Sequence, residues 1–245
     1  MRPSPRQLLS WSWSRYYDYK ICPLKAKLAH LDKIREPKNA AMERGALLHD
    51  TIRDYIRGKK RSIKECGFAP SVVAWFDVAK KAMKKKTLQP IIEEDWAFTK
   101  DWTQTQWDNW AECFLRVKLD AGVFEDEGDT LVVTDWKTGK FRLEEVDMYV
   151  EQLELQALSA LVLYPQIVQV KPRLAYVDYG VVYPPPDKPI VFKQTDVKKL
   201  KSLWAKRTKA MLNDKAFAPR ANDKCRWCFY GQSGKQKGGP GLCKY

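Results

Sequence analysis

The chain has 245 residues, 44% of them hydrophobic, and a formal net charge of +14 from 44 Lys and Arg against 30 Asp and Glu. This length can bury one medium-sized core, the composition is too apolar for disorder, and the cation excess points to a polyanionic partner, although a merely soluble basic surface would give the same count. No run of eighteen apolar residues is present and the polar opening, residues 1–14, has no apolar signal core; an intracellular chain without membrane contact is expected, its six cysteines reduced and so ligands or buried thiols before disulfides.

In chain order, residues 8–31 mix Trp and Tyr with basic residues and read as short helices broken near Pro23. Residues 39–56 form a helix, with Ala41, Gly45, Leu48, Ile52 and Tyr55 at helical spacing. A further helix spans 71–86, with Ser71 as its N-cap and the cationic run Lys80, Lys81, Lys84, Lys85 and Lys86 at its end; that run is a phosphate-binding edge or a solvated terminus. Strands follow at 91–99, 112–124 and 130–136, the last two joined by an acidic turn at 125–129. Then come a helix at 144–164 closed by Pro165, a strand at 173–183 ended by three prolines, a short strand at 190–193 and a basic helix at 195–213. This order predicts an α/β sandwich on a mixed sheet. One domain is expected over 1–245: a mainly helical part at 1–90, a core at 91–214 and a Cys-rich tail at 215–245 docking on the N-terminal segment.

Chemistry concentrates at Asp120, towards the end of the second strand, and at Asp135 and Lys137, two apart and so on one face of the third. If the acidic turn pairs these strands, two carboxylates and an ammonium converge. Carboxylates are hard ligands suited to Mg²⁺ or Mn²⁺, and an ammonium beside them orients water and offsets charge growing on a phosphate. An Asp-x-Lys alone is also what a surface ion pair looks like. Here Val132 and Val133 precede it, so Asp135 emerges from a buried strand where an unpaired charge is costly.

With these residues most of the chain resembles the RecB-type branch of the PD-(D/E)XK nuclease superfamily, which has phage-encoded members. Ser12-Trp13-Ser14-Arg15 through Cys22-Pro23 is similar to the family's opening element, Gly45 to His49 to its GxxxH helix, and Asp135-Trp136-Lys137-Thr138-Gly139 to its strand signature. Gln152 falls at the Gln of a QxxxY motif, whose Tyr position holds Gln156, a departure. The resemblance implies a restriction-endonuclease-like core and a DNA exonuclease leaving 5′-phosphates, in recombination, repair or phage DNA metabolism. It further implies that His49, Asp120, Asp135 and the Trp136 carbonyl hold the metal, that Lys137 orients the attacking water and that Gln152 supports the site. On residue type alone His49 is equally a packed core histidine, and Gln152 an ordinary polar helix position.

Cys225 and Cys228 form a CxxC, and Cys243 follows after fourteen residues. Thiolates so spaced grip one metal centre and order an irregular tail; Cys22 is the candidate fourth ligand, as the CRISPR-adaptation and AddB-like members imply with a 4Fe–4S cluster held by one early and three late cysteines. The gap between Cys228 and Cys243 leaves structural Zn²⁺ open. Cys66 and Cys113 read as plain thiols.

Trp96 and Trp110 are expected to cap the sheet, with Trp102 and Trp107 open to stack unpaired bases. The segments 80–86 and 198–207 are expected to line a common groove for single-stranded DNA or duplex ends. A catalytically silent nucleic-acid-binding or assembly subunit is the rival reading, and a second copy of the chain or a recombination or replication protein is left open as partner.

Overall fold

The structure is a computed structural model describing residues 7–85, 87–236 and 238–245. Residues 1–6 of the polar opening and Lys86 of the cationic run lie outside the described residues.

The helical opening starts with β1 (Trp11–Ser12), α1 (Trp13–Ile21) and α2 (Pro23–His30). Ser12 accepts from the Arg15 N–H to cap α1, and Pro23 begins α2, where its missing N–H is not needed. Asn39 caps α3 (Ala40–Ile56) through the Met42 N–H. Helix α4 (Pro70–Ala82) starts one residue before Ser71, which therefore is not its cap; Ala69 takes that place without a side-chain bond, and Pro70 sets the first turn instead.

Strands β2 (Ile91–Phe98), β3 (Gln104–Thr105), β4 (Leu115–Glu125) and β5 (Thr130–Lys137) lead to α5 (Val146–Leu163) and β6 (Gln169–Tyr176). The strand expected at 173–183 is two: β6 turns at Gly180, whose φ of +69° suits glycine, into the antiparallel β7 (Val181–Tyr183). Then come β8 (Phe192–Lys193), α6 (Val197–Asn213) and, in the tail expected to lack helix, the one-turn α7 (Gln232–Lys235).

The sheet runs β3-β2-β4-β5-β6-β7, with β1 alongside β4 and β8 alongside β6. Its centre is mixed: β4 and β5 form the antiparallel hairpin that the acidic turn implies, while β5 and β6 are parallel and so need the α5 crossover. Side chains alternate between two cores. Val117, Leu131 and Val133 pack with Leu155, Leu158 and Leu161 of α5 and Leu200 and Trp204 of α6. Ile92, Ala121 and Trp136 pack on the other face with Ile52 of α3 and Val72 and Phe76 of α4. The fold is an α/β sandwich with a mixed central sheet flanked by helices.

One expectation fails on this topology. Helices α4 and α6 belong to opposite faces of the sheet, so the basic segments they carry do not form two walls of one groove. Among the described residues, no helix is long and apolar enough to cross a membrane.

Candidate active site

The site forms where the hairpin's two strands diverge. Their ladder pairs Ala121 with Thr134; one step further, Asp120 and Asp135 face each other outside it. The freed Trp136 N–H donates to Asp120 Oδ2 at 2.8 Å. A strand residue sends its N–H and C=O to the same neighbour, so the Trp136 carbonyl also points towards β4. Its ring lies in the opposite core, edge-on to Trp75 and Phe76.

Asp135 is buried and heavily engaged. Lys137 Nζ lies 2.6 Å from its Oδ2, and the amides of Gln152 and Gln156 on α5 both donate to its Oδ1, at 2.8 and 3.1 Å. Lys137 also donates to Gln152 Oε1 at 3.3 Å and sits over the Tyr149 ring. Burial alone would lower the Lys137 pKa, but the Asp135 carboxylate beside it raises it, so the ammonium keeps its proton. Gln156, read from sequence as a departure, therefore grips the same carboxylate as Gln152 one helical turn away. The i, i+4 spacing was the available signal.

Across the hairpin, His49 on α3 brings Nδ1 to 3.0 Å from Glu93 Oε1 and 3.6 Å from Asp120 Oδ1. Among the described residues His49, Glu93 and Asp120 form the group whose ligand atoms all lie within 4.8 Å of one another. Glu93, which was not among the expected ligands, joins His49 and Asp120 in this group, while Asp135 beside it is engaged by Lys137 and the two glutamines. Register brings Glu93 opposite Asp120, since Ile92 pairs with Ala121 and Glu94 with Leu119. Its φ of +47° departs from strand geometry at that point. Burial raises the Asp120 pKa, and the Asp135 charge raises it further. Burial would lower His49, yet its bond to Glu93 and the nearby Asp120 lift it to about 9. Crowded anions sharing a proton are the electrostatic state that a divalent cation relieves; the carboxylates suit hard ions such as Mg²⁺ and Mn²⁺, and the imidazole favours a transition metal.

The loop after β5 is braced from two sides. Asp178 accepts from Arg44 at 2.7 and 2.9 Å and from the Gly139 N–H at 3.0 Å, and Gly139 has a φ of +95°. The GxxxH helix and the turn after Lys137 are thereby tied to one carboxylate.

The cysteine centre expected in the fold is not formed as a compact ligand set. Cys22, Cys225, Cys228 and Cys243 all line one cavity of about 150 Å³. No three thiols join a group within 4.8 Å among the described residues, whereas four around one zinc stand about 4 Å apart. Backbone N–H groups do turn to the sulfurs: Arg220 to Cys22 at 3.3 Å and Asn222 to Cys225 at 3.4 Å. The tail meets the N-terminal helices through Asn222 to the Ile21 carbonyl and Tyr230 to the Ile34 carbonyl. Cys113 is buried beside the Leu115 carbonyl and Cys66 packs at the α3–α4 core.

Of the tryptophans, Trp96 is in the core as expected, but Trp110 is 77% exposed rather than capping the sheet. Trp102 packs on Phe98, and Trp107 lies half-buried beside Arg116 and Lys118.

A family model described as the PD-(D/E)XK nuclease superfamily matches residues 10–233. No curated protein matches the chain. Among solved structures, a Eubacterium rectale protein named as a presumed exonuclease is similar over 91% of this chain and 88% of its own, at 8% identity and a TM-score of 0.45.

Proposed function

The chain belongs to the PD-(D/E)XK nuclease superfamily, and on that premise we propose that it hydrolyses DNA phosphodiesters at strand ends with Mg²⁺ or Mn²⁺, leaving 5′-phosphates. Membership makes it a nuclease acting on nucleic acid; DNA, its ends, the metal and a setting in recombination, repair or phage DNA metabolism are the finer reading. One observation carries that reading: the ligand atoms of His49, Glu93 and Asp120 meet within 4.8 Å beside the Asp135–Lys137 pair. A silent binding subunit has no use for that convergence.

His49, Glu93 and Asp120 would hold the cation, with the Trp136 carbonyl and Asp135 as further ligands. When bound, the cation neutralises charge on the phosphate and makes water more acidic. The His49–Asp120 pair would give up its proton on binding it. Lys137 keeps its proton, donates to the attacking water and faces the charge growing on the phosphoryl oxygens. Gln152 holds Asp135 and Lys137 at once, so the pair does not rotate as the phosphate enters.

Labelled single- and double-stranded DNA, incubated with Mg²⁺, Mn²⁺ or chelator, tests this. Expected are metal-dependent products bearing 5′-phosphates, no cutting of covalently closed circles, and no product from Lys137→Ala. Cleavage in chelator, or undiminished cleavage by Lys137→Ala, overturns the mechanism.

For the tail we propose that Cys22, Cys225, Cys228 and Cys243 hold a 4Fe–4S cluster with a structural role. Two features support a shared centre: the four cysteines line one cavity, and backbone N–H groups turn to the sulfurs of Cys22 and Cys225, as they do to cluster ligands. Protein purified without oxygen is expected to be brown and to contain iron and sulfide. About one zinc per chain without colour establishes the tetrahedral alternative, and neither metal removes the clasp.

A further inference from the structure

Gln152 and Gln156 do more than hold Asp135: both also line a cavity of about 380 Å³, within the range of small-ligand pockets. It lies along an open stretch of β4. Strand β1 pairs with β4 at Leu115 and Arg116, and the β5 ladder begins only at Ala121. Between them, Gln156 takes the Lys118 carbonyl, and the cavity is walled by Trp13, Arg15, Trp107, Arg116 and Lys118. At about 3.3 Å per strand residue, Lys118 is roughly 7 Å and Arg116 roughly 13 Å from Asp120. The cavity thus adjoins the active site at the distance of a neighbouring nucleotide.

Its two arginines make no ion pair with a carboxylate among the described residues, whereas Lys118 is paired with Asp95 at 2.8 Å. Arg116 is 7% exposed; Nε and Nη2 donate to the Trp107 carbonyl, and Nη1 is buried with no hydrogen-bond partner. The Arg15 guanidinium donates only to Ser10 among the described residues. Burial lowers the Arg15 pKa, and the Arg116 charge lowers it further. A buried donor without a partner is costly, and an anion seated there removes the cost. Aromatic surface accompanies the charge: the Arg116 guanidinium lies 4.4 Å from the Trp110 ring centre and 5.5 Å from that of Trp107, and Lys118 Nζ is 5.2 Å from the latter.

We propose that this cavity takes an unpaired nucleotide of the strand being cut, its phosphate on Arg116 and Arg15 and its base stacked on Trp107. The proposal rests on the nuclease reading and makes the substrate single-stranded next to the cleaved bond. A base within a duplex is stacked on both faces and paired at its edge; only an unpaired one can enter a recess lined with rings.

The test is binding, in buffer without divalent cation, of a labelled oligothymidylate and of a blunt duplex of equal length. Wild type is expected to hold the single strand about tenfold more tightly or better. Trp107→Ala, which keeps the backbone carbonyl that Arg116 uses, is expected to weaken single-strand binding about tenfold, since stacking is worth about 1–3 kcal/mol per base. Arg116→Lys, which keeps the charge but not the fork, is expected to weaken it as well, and both leave duplex binding within about twofold. Unchanged single-strand binding by Trp107→Ala, or equal loss on both substrates, overturns the pocket. Should Arg116→Lys not fold, Trp107→Ala decides alone, its ring being half-exposed. A blank cleavage assay with selective loss in Trp107→Ala would remove the nuclease reading and leave the pocket standing. Active enzyme with unaltered Trp107→Ala binding does the reverse.

Discussion

The two clusters of chemistry-bearing side chains in this molecule are built in opposite ways. The carboxylate site hangs on neighbouring strands and one helix turn: Asp120 and Asp135 face each other beyond a hairpin ladder, and α5 supplies two amides to a single oxygen. The thiol site joins residue 22 to residues 225–243 through an irregular tail; its four cysteines line one cavity, and no three of their sulfurs form a compact group among the described residues. The sheet pre-positions the first group whether or not a cation is bound. On the reading proposed for the tail, the second becomes a rigid clasp only with its bound group. Function and stability should therefore separate between them: the strand site carries rate and little stability, the tail site carries stability and little rate.

The largest expected effect falls on the strand site. Asp120→Asn should lower cleavage about 10³-fold or more, because it removes a ligand for the charge that stabilises the transition state. It should also leave the metal-free protein as stable as wild type or more so. Asp120 is a buried carboxylate facing Asp135, and both burial and that charge raise its pKa, so the neutral amide relieves strain rather than adding it. A melting temperature several degrees lower, measured by calorimetry without divalent ions, would break the separation from this side.

The tail should give the mirror image. Cys22→Ser or Cys228→Ser is expected to lose the bound metal and to cost about 2–5 kcal/mol, the scale of a crosslink closing a loop nearly as long as the chain. Folded protein should retain cleavage within a few-fold. Hydrogen exchange should report early opening of α1, α2 and the tail, with β4 and β5 still protected. Gly234→Ala should act in the same direction without touching a thiol, since a Cβ there would meet the Phe229 and Cys228 carbonyls. Loss of cleavage in step with loss of metal would show instead that the two regions are coupled.

Acidity sharpens the contrast further. Against the effect of burial, His49 is raised to about 9 by Glu93 and Asp120, and Asp120 lies above the usual carboxylate range, so in the metal-free protein the His49–Asp120 pair retains a proton near neutrality. A cation must displace it. Affinity for Mn²⁺ should therefore rise as pH increases from 6 towards 9, by up to about tenfold per unit for each proton released, and level off above the His49 pKa. Calorimetric titration in buffers of different ionisation enthalpy reads the proton release directly. A flat affinity over this window would mean that His49 and Asp120 do not act as ligands.

How much of this could be read from the chain follows the same division. The Asp120, Asp135 and Lys137 convergence was legible because a two-residue strand period and an acidic turn fix which atoms meet. Glu93 was not, because its contribution depends on the register of a strand more than twenty residues away and on a backbone that leaves strand geometry there. The basic segments of α4 and α6 looked like two walls of one groove because charge runs carry no record of which sheet face their helix covers. The split at Gly180 was missed because one glycine between Val177 and Val181 does not interrupt an otherwise strand-like run. The cysteine positions were legible as a set, but spacing along the chain does not give the distance between sulfurs.

Gln156 offers the finest test, because sequence and structure assign it differently. By motif it stands where a tyrosine is expected and looks dispensable; in the fold its amide donates to Asp135 at 3.1 Å and to the Lys118 carbonyl at the same distance. Gln156→Leu keeps the volume and removes both bonds. Asp135 would then depend on Gln152 and Lys137 alone, and one hydrogen bond to a charged group is worth about 1.5–3 kcal/mol. Part of that is recovered, since Gln152 shares the same oxygen. The expected outcome is a fall in kcat of about tenfold with KM near wild type, because the lost bond orients a reacting-site carboxylate and does not grip the substrate backbone. Gln156→Tyr, which restores the motif residue, should recover less than half of the loss: a phenol is longer than the amide and does not reach Asp135 and the Lys118 carbonyl with the same fork. If Gln156→Leu cuts at the wild-type rate, the second amide is packing only, and Asp135 is held by Gln152 and Lys137 without it.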